Sequence, residues 1–119
     1  MKQGEIWLVN FDPSFGHEYQ KVRPALIIES DIYIPLGNHI TVVPISSQIH
    51  KSSILDVLIP KDTENRLISD SLAKTRQISS FDSRRFIKLI GLYQASILQE
   101  TLHNVGLFFG MWQGQATQN

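Results

Sequence analysis

The chain has 119 residues, with eleven Lys and Arg side chains against eleven Asp and Glu. This length predicts a single domain with one modest core, and the zero net charge excludes a polybasic nucleic-acid coat, whose affinity needs a surplus of cations. Because there is no cysteine, disulfides, thiolate catalysis and cysteine-based zinc or iron–sulfur sites are also excluded.

Five or six short strands and then one helix are predicted in chain order. Aromatic and β-branched residues indicate strands, at 5–11, 25–28, 40–45, 56–60, 71–79 and 88–92. Pro24 opens the second strand, where its missing N–H falls outside the main ladder. One helical turn with Asp82 as its N-cap precedes the last strand.

The helix is predicted from residue 94, where the hydrophobic period changes. Leu98, Leu102, Val105 and Phe109 are spaced four, three and four apart and form one apolar stripe. Strands followed by such a helix predict a mainly β fold with α: a small, closed or nearly closed antiparallel barrel with the helix packed on it. We expect one domain over 1–112 and a polar, disordered tail over 113–119.

The zero net charge hides an uneven distribution. Residues 1–60 carry four cations and six anions, and residues 61–119 carry seven cations and five anions. Within 74–88, five cations (Lys74, Arg76, Arg84, Arg85 and Lys88) face Asp82 as the one acid. Such a run is compatible with a solvated face or with a phosphate-facing patch.

The most informative segment is 10–28, NFDPSFGHEYQKVRPALII. A glycine-hinged polar loop ends with Arg23 at the mouth of a buried strand, and Pro24 restricts Arg23 to an extended backbone. A rigidly mounted guanidinium suits the stabilisation of a phosphate transition state. The alternative is a structural salt bridge from Arg23 to Glu18 or Glu5.

Other chemistry finds little support in the sequence. The four histidines lie far apart and have no partners at metal-ligand spacing, so neither a metal nor another cofactor is expected. Phosphate-loop and nucleophile-elbow motifs are absent. No apolar run approaches the ~20 residues of a membrane span and no signal peptide is evident, so we expect a cytoplasmic protein without a membrane partner.

Short blocks spread over residues 2–109 carry a family resemblance. They are GEIWLV at 4–9, DP at 12–13, GHE at 16–18, KVRPALII at 21–28, VVPISS at 42–47, and shorter matches at 70–71, 77–78, 81–82, 85–86 and 90–92. In these blocks the chain resembles the MazF/PemK/Kid family of bacterial type II toxins. The first blocks are specific to the family, and the later ones support them.

The resemblance implies an SH3-like small antiparallel β-barrel of the CcdB/MazF type with a C-terminal helix. It implies a homodimeric, metal-independent and sequence-specific endoribonuclease that cleaves single-stranded mRNA and thereby inhibits translation and growth. Attack of the substrate 2′-OH on the adjacent phosphate would leave a 2′,3′-cyclic phosphate and a 5′-OH. A cognate antitoxin would block the RNA groove, and operator DNA would be bound together with that antitoxin.

The resemblance also assigns site residues. Arg23 matches the catalytic Arg of the family, and Ser46 matches its catalytic Thr, in a motif that usually reads Pro-x-Thr-Ser. His17 matches a His that some members use near the scissile phosphate; here it serves as base or acid, or only contacts RNA or Glu18. The expected RNA-binding residues are Glu18, Gln20, Lys21, Ser47, Lys74, Arg76 and Gln77.

One block departs from the family pattern. Where some relatives use an Arg and an Asp, this chain has Lys74 and Arg76, so an acid is missing there. If the segment is a strand, the two cations share a face and add phosphate contacts. Two alternatives to an RNase stay open: a non-enzymatic, CcdB-like gyrase-binding toxin using the helix end around Trp112, and a degenerate member that only binds antitoxin or DNA. Trp112 is also explained as hydrophobic cover for the helix end or a dimer seam.

Overall fold

The computed structural model of the protein describes residues 1–11 and 22–112. The strands in these ranges are β1 (Glu5–Asn10), β2 (Val22–Ile27), β3 (His39–Ser46), β4 (Val57–Ile59), β5 (Ser71–Ala73), β6 (Ser79–Asp82) and β7 (Phe86–Leu92), and the helix is α1 (Ala95–Phe108). Short 3₁₀ turns lie at Ile34–Leu36, Ile49–Lys51, Thr75–Gln77 and Ser83–Arg85. The mainly β fold with a C-terminal helix is therefore confirmed.

The strands form one antiparallel sheet in the order β4–β5–β3–β2–β1–β7. The first half of β3 pairs with β6 and its last two residues pair with β5, both on the edge opposite β2. Within the described residues, β4 and β7 end this order and do not pair with each other. A closed barrel would need a hydrogen-bonded ladder between these two strands. The sheet is therefore open, and the prediction of a fully closed barrel is wrong.

Both faces of the central strands are buried. On one face, Ile6, Leu26 and Val43 belong to a core cluster against which the α1 residues Ile97, Leu98, Leu102 and Val105 pack. On the other face, Val9, Ile27 and Val42 form a second cluster, closed by aromatic side chains. Because successive strand residues point to opposite faces, the continuous apolar run 25–28 has partners on both sides.

The second strand begins earlier than predicted. β2 starts at Val22, and Pro24 lies inside it, opposite Leu8 of β1. Pairing with β3 begins only at Ala25, which lies opposite Pro44. Pro24 thus occupies a position where β2 is paired on the β1 side alone, and a residue without an N–H is tolerated there.

The predicted strand over 71–79 is wrong, because a turn interrupts it. The Lys74 N–H donates to the Pro44 carbonyl, and the Gln77 N–H then donates back to the Lys74 carbonyl. Thr75, within this 3₁₀ turn, is fully buried. Lys74 and Arg76 are therefore not same-face neighbours on one strand. The predicted helical turn with Asp82 as N-cap is confirmed: its carboxylate accepts a bond from the Arg84 N–H at 2.8 Å.

The apolar stripe of α1 ends one turn earlier than predicted. Phe109 is the C-cap and 64% exposed, outside the core. Gly110 follows with φ +87°, and the N–H groups of Gly110 and Met111 donate to the carbonyls of Leu107 and Gly106. This is a Schellman ending, which needs the left-handed conformation at the glycine. The tail over 113–119 lies outside the described residues.

Candidate functional site

A groove of about 870 Å³ opens where the ends of β2 and β3 meet β1, β7 and the loop that precedes β5. Its charged lining consists of Arg23, Arg66 and Lys88. Hydroxyl and amide groups complete the polar lining, from Ser46, Ser47, Gln48, Ser69 and Ser71. No carboxylate of the described residues lines it, so the groove is suited to an anion.

Arg23 is held at one wall by an aromatic pair. It lies in β2 opposite Val9, and its guanidinium carbon is 5.5 Å from the centre of the Phe11 ring. Phe11 in turn packs edge-on against Phe81, with ring centres 4.7 Å apart. A cation over a ring face is attracted without a hydrogen bond, so the ring orients the guanidinium, and no side-chain N–H of Arg23 is bonded to another of residues 1–11 and 22–112.

The salt bridge from Arg23 to Glu5 is not formed. The Glu5 carboxylate accepts bonds from the Trp7 indole N–H at 2.8 Å and the Lys2 backbone N–H at 2.9 Å. Among residues 1–11 and 22–112, Arg23 makes no ion pair. Glu18, the other partner considered, lies outside the described residues, as do His17, Gln20 and Lys21. Val22, the next described residue, lines the groove.

Ser46 lines the same groove as Arg23. The β2–β3 register pairs Ala25 with Pro44, and continued by two residues it aligns Arg23 with Ser46. The Ser46 hydroxyl oxygen accepts the Gln48 backbone N–H at 3.2 Å. Because that bond uses a lone pair, the hydroxyl hydrogen can still donate to a ligand oxygen. Ser47 is exposed beside it and also lines the groove.

The remaining cations of the groove were not singled out individually from the sequence. Lys88 stands on β7 opposite Leu8, which also lines the groove. Arg66 belongs to the charged, turn-like stretch that precedes β5. Its φ of +56° is unusual for a residue with a Cβ. The local sequence around a cation in such a turn does not indicate which surface the side chain faces. Only the tertiary structure shows that Arg66 lies at the groove.

The basic segment 74–88 does not form one patch. Lys74 is tied to Asp56 by a salt bridge of 2.6 Å, and the Asp56 side chain is only 2% exposed. Arg84 pairs with Asp82 at 2.9 Å, and the hydrogen bonds from its side chain and backbone lower the Asp82 pKa to about 2. Arg85 donates to the Asn10 carbonyl at 3.2 Å. Of the segment's five cations, Lys88 alone lines the groove.

Three sequence-predicted RNA contacts therefore lie away from the groove lining. Lys74 is engaged by Asp56, and its ammonium also donates to the Lys51 carbonyl at 3.3 Å. Arg76 and Gln77 are exposed on the 3₁₀ turn that follows. The structure brings together Arg23, Ser46 and Ser47 and does not bring these three side chains to them.

Trp112 packs against the C-terminal half of α1. Its ring stacks on His103, with centres 4.7 Å apart. A Cβ added to Gly106 would come within 2.4 Å of the Trp112 ring, so the ring covers the helix at its glycine. This contact agrees with hydrophobic cover for the helix end.

Two further features concern the described residues as a set. No group of three or more His, Asp or Glu side chains in residues 1–11 and 22–112 is arranged to hold a metal ion. In the same ranges, no helix combines the length and hydrophobicity that crossing a membrane requires.

Comparison with known proteins gives consistent results. The family described as "PemK-like, MazF-like toxin of type II toxin-antitoxin system" matches residues 2–109. Endoribonuclease MazF9 of Mycobacterium tuberculosis is 33% identical over 94% of this chain and 98% of its own. Two crystal structures from Deinococcus radiodurans, of MazF (Form-I) and of MazE-MazF (Form-III), are each 25% identical over 93% of this chain and 97% of theirs, with TM-scores of 0.76 and 0.73.

Proposed function

The chain belongs to the PemK-like, MazF-like family of type II toxin–antitoxin toxins, and on that premise we propose that it is an endoribonuclease that cleaves single-stranded mRNA. The observation that carries the proposal is the groove in which Arg23 and Ser46 meet among cations and hydroxyls. An RNA strand offers this groove a row of phosphates, and Arg presents a planar fork of donors that matches phosphate oxygens.

The proposed reaction is an internal transesterification. The ribose 2′-OH attacks the adjacent phosphorus, a bond from O2′ to phosphorus forms, and the bond from phosphorus to O5′ breaks. One proton leaves the 2′-OH for a base and another reaches the departing 5′-oxygen, so the products are a 2′,3′-cyclic phosphate and a 5′-OH. The step requires proton transfer and charge neutralisation, and no enzyme nucleophile.

Each site residue has a defined part in this proposal. Arg23 neutralises the phosphorane and donates hydrogen bonds to its oxygens. The position of its guanidinium over the Phe11 ring supports this role. Ser46 donates a hydrogen bond that orients the phosphate, and Ser47 lies beside it. His17 is proposed as the base or acid, since the ordinary pKa of imidazole, about 6.5, suits proton transfer near neutral pH.

The proposed RNA contacts extend beyond these residues. Glu18, Gln20 and Lys21, which precede β2 in the chain, are proposed to contact RNA, as are Lys74, Arg76 and Gln77. Lys74, Arg76 and Gln77 do not line the groove, which weighs against direct contact with RNA there. The salt bridge from Lys74 to Asp56 gives Lys74 a structural role instead.

The partners in the proposal follow from the toxin family. We propose a cognate antitoxin, in line with the MazE-MazF structure to which this chain is similar, and a homodimer that binds operator DNA together with that antitoxin. The reaction would take place in the cytoplasm, where mRNA is found.

The decisive experiment compares Arg23→Ala with the parent protein on a long single-stranded RNA in EDTA, followed by mapping of the cut ends. Removing a donor to a developing oxyanion lowers rates by about 10²–10³-fold, so cleavage by the variant should fall by at least about 100-fold with unchanged circular dichroism. Arg84→Ala is the matched control, because that arginine pairs with Asp82 outside the groove.

Several outcomes would contradict the proposal. Cleavage by Arg23→Ala at the parent rate would remove Arg23 from the site. Cleavage that requires a metal would remove the metal-independent mechanism. RNA that stays intact under every condition would favour a gyrase-binding toxin or a member that only binds antitoxin or DNA.

A further inference from the structure

Arg66 combines two features that no other described residue shares. Its backbone has a φ of +56°, and it is one of the residues that line the groove holding Arg23 and Ser46. The left-handed region is unfavourable for residues with a Cβ and is normally occupied by glycine or asparagine. A bulky cation at such a position therefore needs an explanation.

The turn that carries Arg66 is fixed by a buried amide. Asn65 is 1% exposed, and its side-chain oxygen accepts from the Asp62 and Leu67 N–H groups at 3.1 and 3.0 Å. Its side-chain nitrogen donates to the Pro60 carbonyl at 2.9 Å. The Arg66 N–H donates to the Asp62 carbonyl at 3.1 Å. The backbone on both sides of Arg66 is thus hydrogen-bonded into one conformation.

This turn is also joined to the strand that forms the neighbouring wall. The Leu92 N–H donates to the Glu64 carbonyl at 3.0 Å. A Cβ on Gly91 would lie 2.5 Å from the carbonyl oxygens of Glu64 and Asn65, so the turn touches the backbone of β7 directly. Lys88, on the same strand, lines the same groove. The backbone of Arg66 therefore has a fixed position relative to the backbone of β7, the strand that carries this second cation.

The fold itself makes no use of the Arg66 side chain. The side chain is exposed, and in residues 1–11 and 22–112 it makes neither a hydrogen bond nor an ion pair. A glycine would satisfy the φ of this position without strain. What the arginine adds is a guanidinium at the rim of a groove whose described charged residues are all cations.

We propose that Arg66 binds a phosphate of the RNA strand next to the one that Arg23 and Ser46 hold. The inference rests on the proposed function and deepens it by adding a binding residue in the turn between β4 and β5, which contacts the backbone of β7. Arg66 acts on the sugar–phosphate backbone, so its contribution is the same for RNAs of different sequence.

The test measures binding of a 2′-O-methylated single-stranded ribo-oligonucleotide, which has no 2′-OH and cannot be cleaved, by fluorescence anisotropy over a series of salt concentrations. Each phosphate contact contributes about 0.7 to the slope of log K against log salt for single strands. Arg66→Gly should lower this slope by about 0.7 and weaken binding about five-fold at 0.1 M salt. Arg66→Lys should keep the slope.

The controls separate charge from folding. Lys61→Gln removes one cation from the same loop, but Lys61 is exposed and does not line the groove, so slope and affinity should stay at parent values. Arg66→Gly and Arg66→Asn both accept positive φ and should melt no lower than the parent. Arg66→Asn should repeat the loss of binding.

Two results would overturn the inference. If the parent binds and cleaves RNA while folded Arg66→Gly and Arg66→Asn bind with parent affinity and slope, Arg66 is not a phosphate ligand, although the proposed function stands. If the parent neither binds the oligonucleotide nor cuts RNA, the proposed function fails and Arg66 loses its ligand with it.

Discussion

The salt bridge between Lys74 and Asp56 separates a structural role for Lys74 from a role in RNA binding. The perturbation is Lys74→Met, which keeps the length of the side chain and removes its charge. Only 2% of the Asp56 side chain and 13% of the Lys74 side chain are exposed, so the substitution leaves a carboxylate buried without its counter-ion.

The expected loss of stability follows from that burial. Removing one partner of a buried ion pair costs about 3–5 kcal/mol, because the remaining charge is uncompensated. Asp56 Oδ2 keeps the hydrogen bonds from the Ser53 N–H at 2.8 Å and the Ser53 hydroxyl at 3.3 Å, whereas Asp56 Oδ1 is buried and has no hydrogen-bond partner among the described residues. We therefore expect a loss of at least about 3 kcal/mol. For a chain of this length, that loss lowers the Tm by about 12 °C.

Urea unfolding followed by circular dichroism measures this loss. Asp56→Asn combined with Lys74→Met removes both charges, and the double variant should recover about 2 kcal/mol relative to Lys74→Met, because replacing a whole buried pair is often nearly neutral. Arg76→Met removes an exposed cation two residues away and should change the free energy of unfolding by less than about 0.5 kcal/mol.

Equal stability of Lys74→Met and Arg76→Met would refute a structural role for the Lys74–Asp56 pair. Loss of RNA binding at full stability would then make Lys74 an RNA contact, as expected from the sequence. Loss of stability without recovery in the double variant would show that Lys74 stabilises the fold by a route other than neutralising Asp56.

Two further predictions concern the turn under Arg66 and the cap of the 3₁₀ turn. Gly91→Ala would push a methyl group against two backbone carbonyls at 2.5 Å and should destabilise the protein by about 3 kcal/mol in urea unfolding. Gly37→Ala is the control, because a methyl group there meets nothing within 4 Å. Equal stabilities of the two variants would contradict the close approach at Gly91. The Asp82 pKa lies at about 2, below the usual 3.8, so the ionised carboxylate stabilises the fold above about pH 4 and this contribution disappears as the pH falls through 2. Thermal unfolding from pH 5 to pH 2 should show the stability advantage of the parent over Asp82→Asn shrinking in that window, and a constant difference would contradict the Arg84 contacts as its source.

Local sequence patterns predicted most of the secondary structure. Alternating and continuous apolar runs placed strands close to β1, β2, β3 and β7, and the change of period placed α1 within a residue or two of its start. The failures came where long-range bonds decide. The bond from the Lys74 N–H to the Pro44 carbonyl helps break the strand predicted over 71–79, and nothing within that stretch indicates it.

The candidate site was predicted only in part, because long-range contacts decide which side chains meet there. Arg23 and Ser46 were found through matching blocks, and the β2–β3 register explains why residues 23 positions apart in the chain face one groove. Arg66 was missed because a cation in a charged turn is typical of a solvated loop. Its orientation depends on Asn65 and on the absence of a side chain at Gly91.

The sequence by itself determined the elements of this protein, its mainly β class and, through its motifs, its family. These properties depend on residue type and on spacing along the chain, which the sequence states directly. Tertiary structure decided which cations share a surface. The segment 74–88 carries a run of cations, yet salt bridges to Asp56 and Asp82 engage two of them. The cations that line the groove are instead Arg23, Arg66 and Lys88. Charge adds up along a chain, but a phosphate is bound only by charges that pairing and packing bring to the same surface.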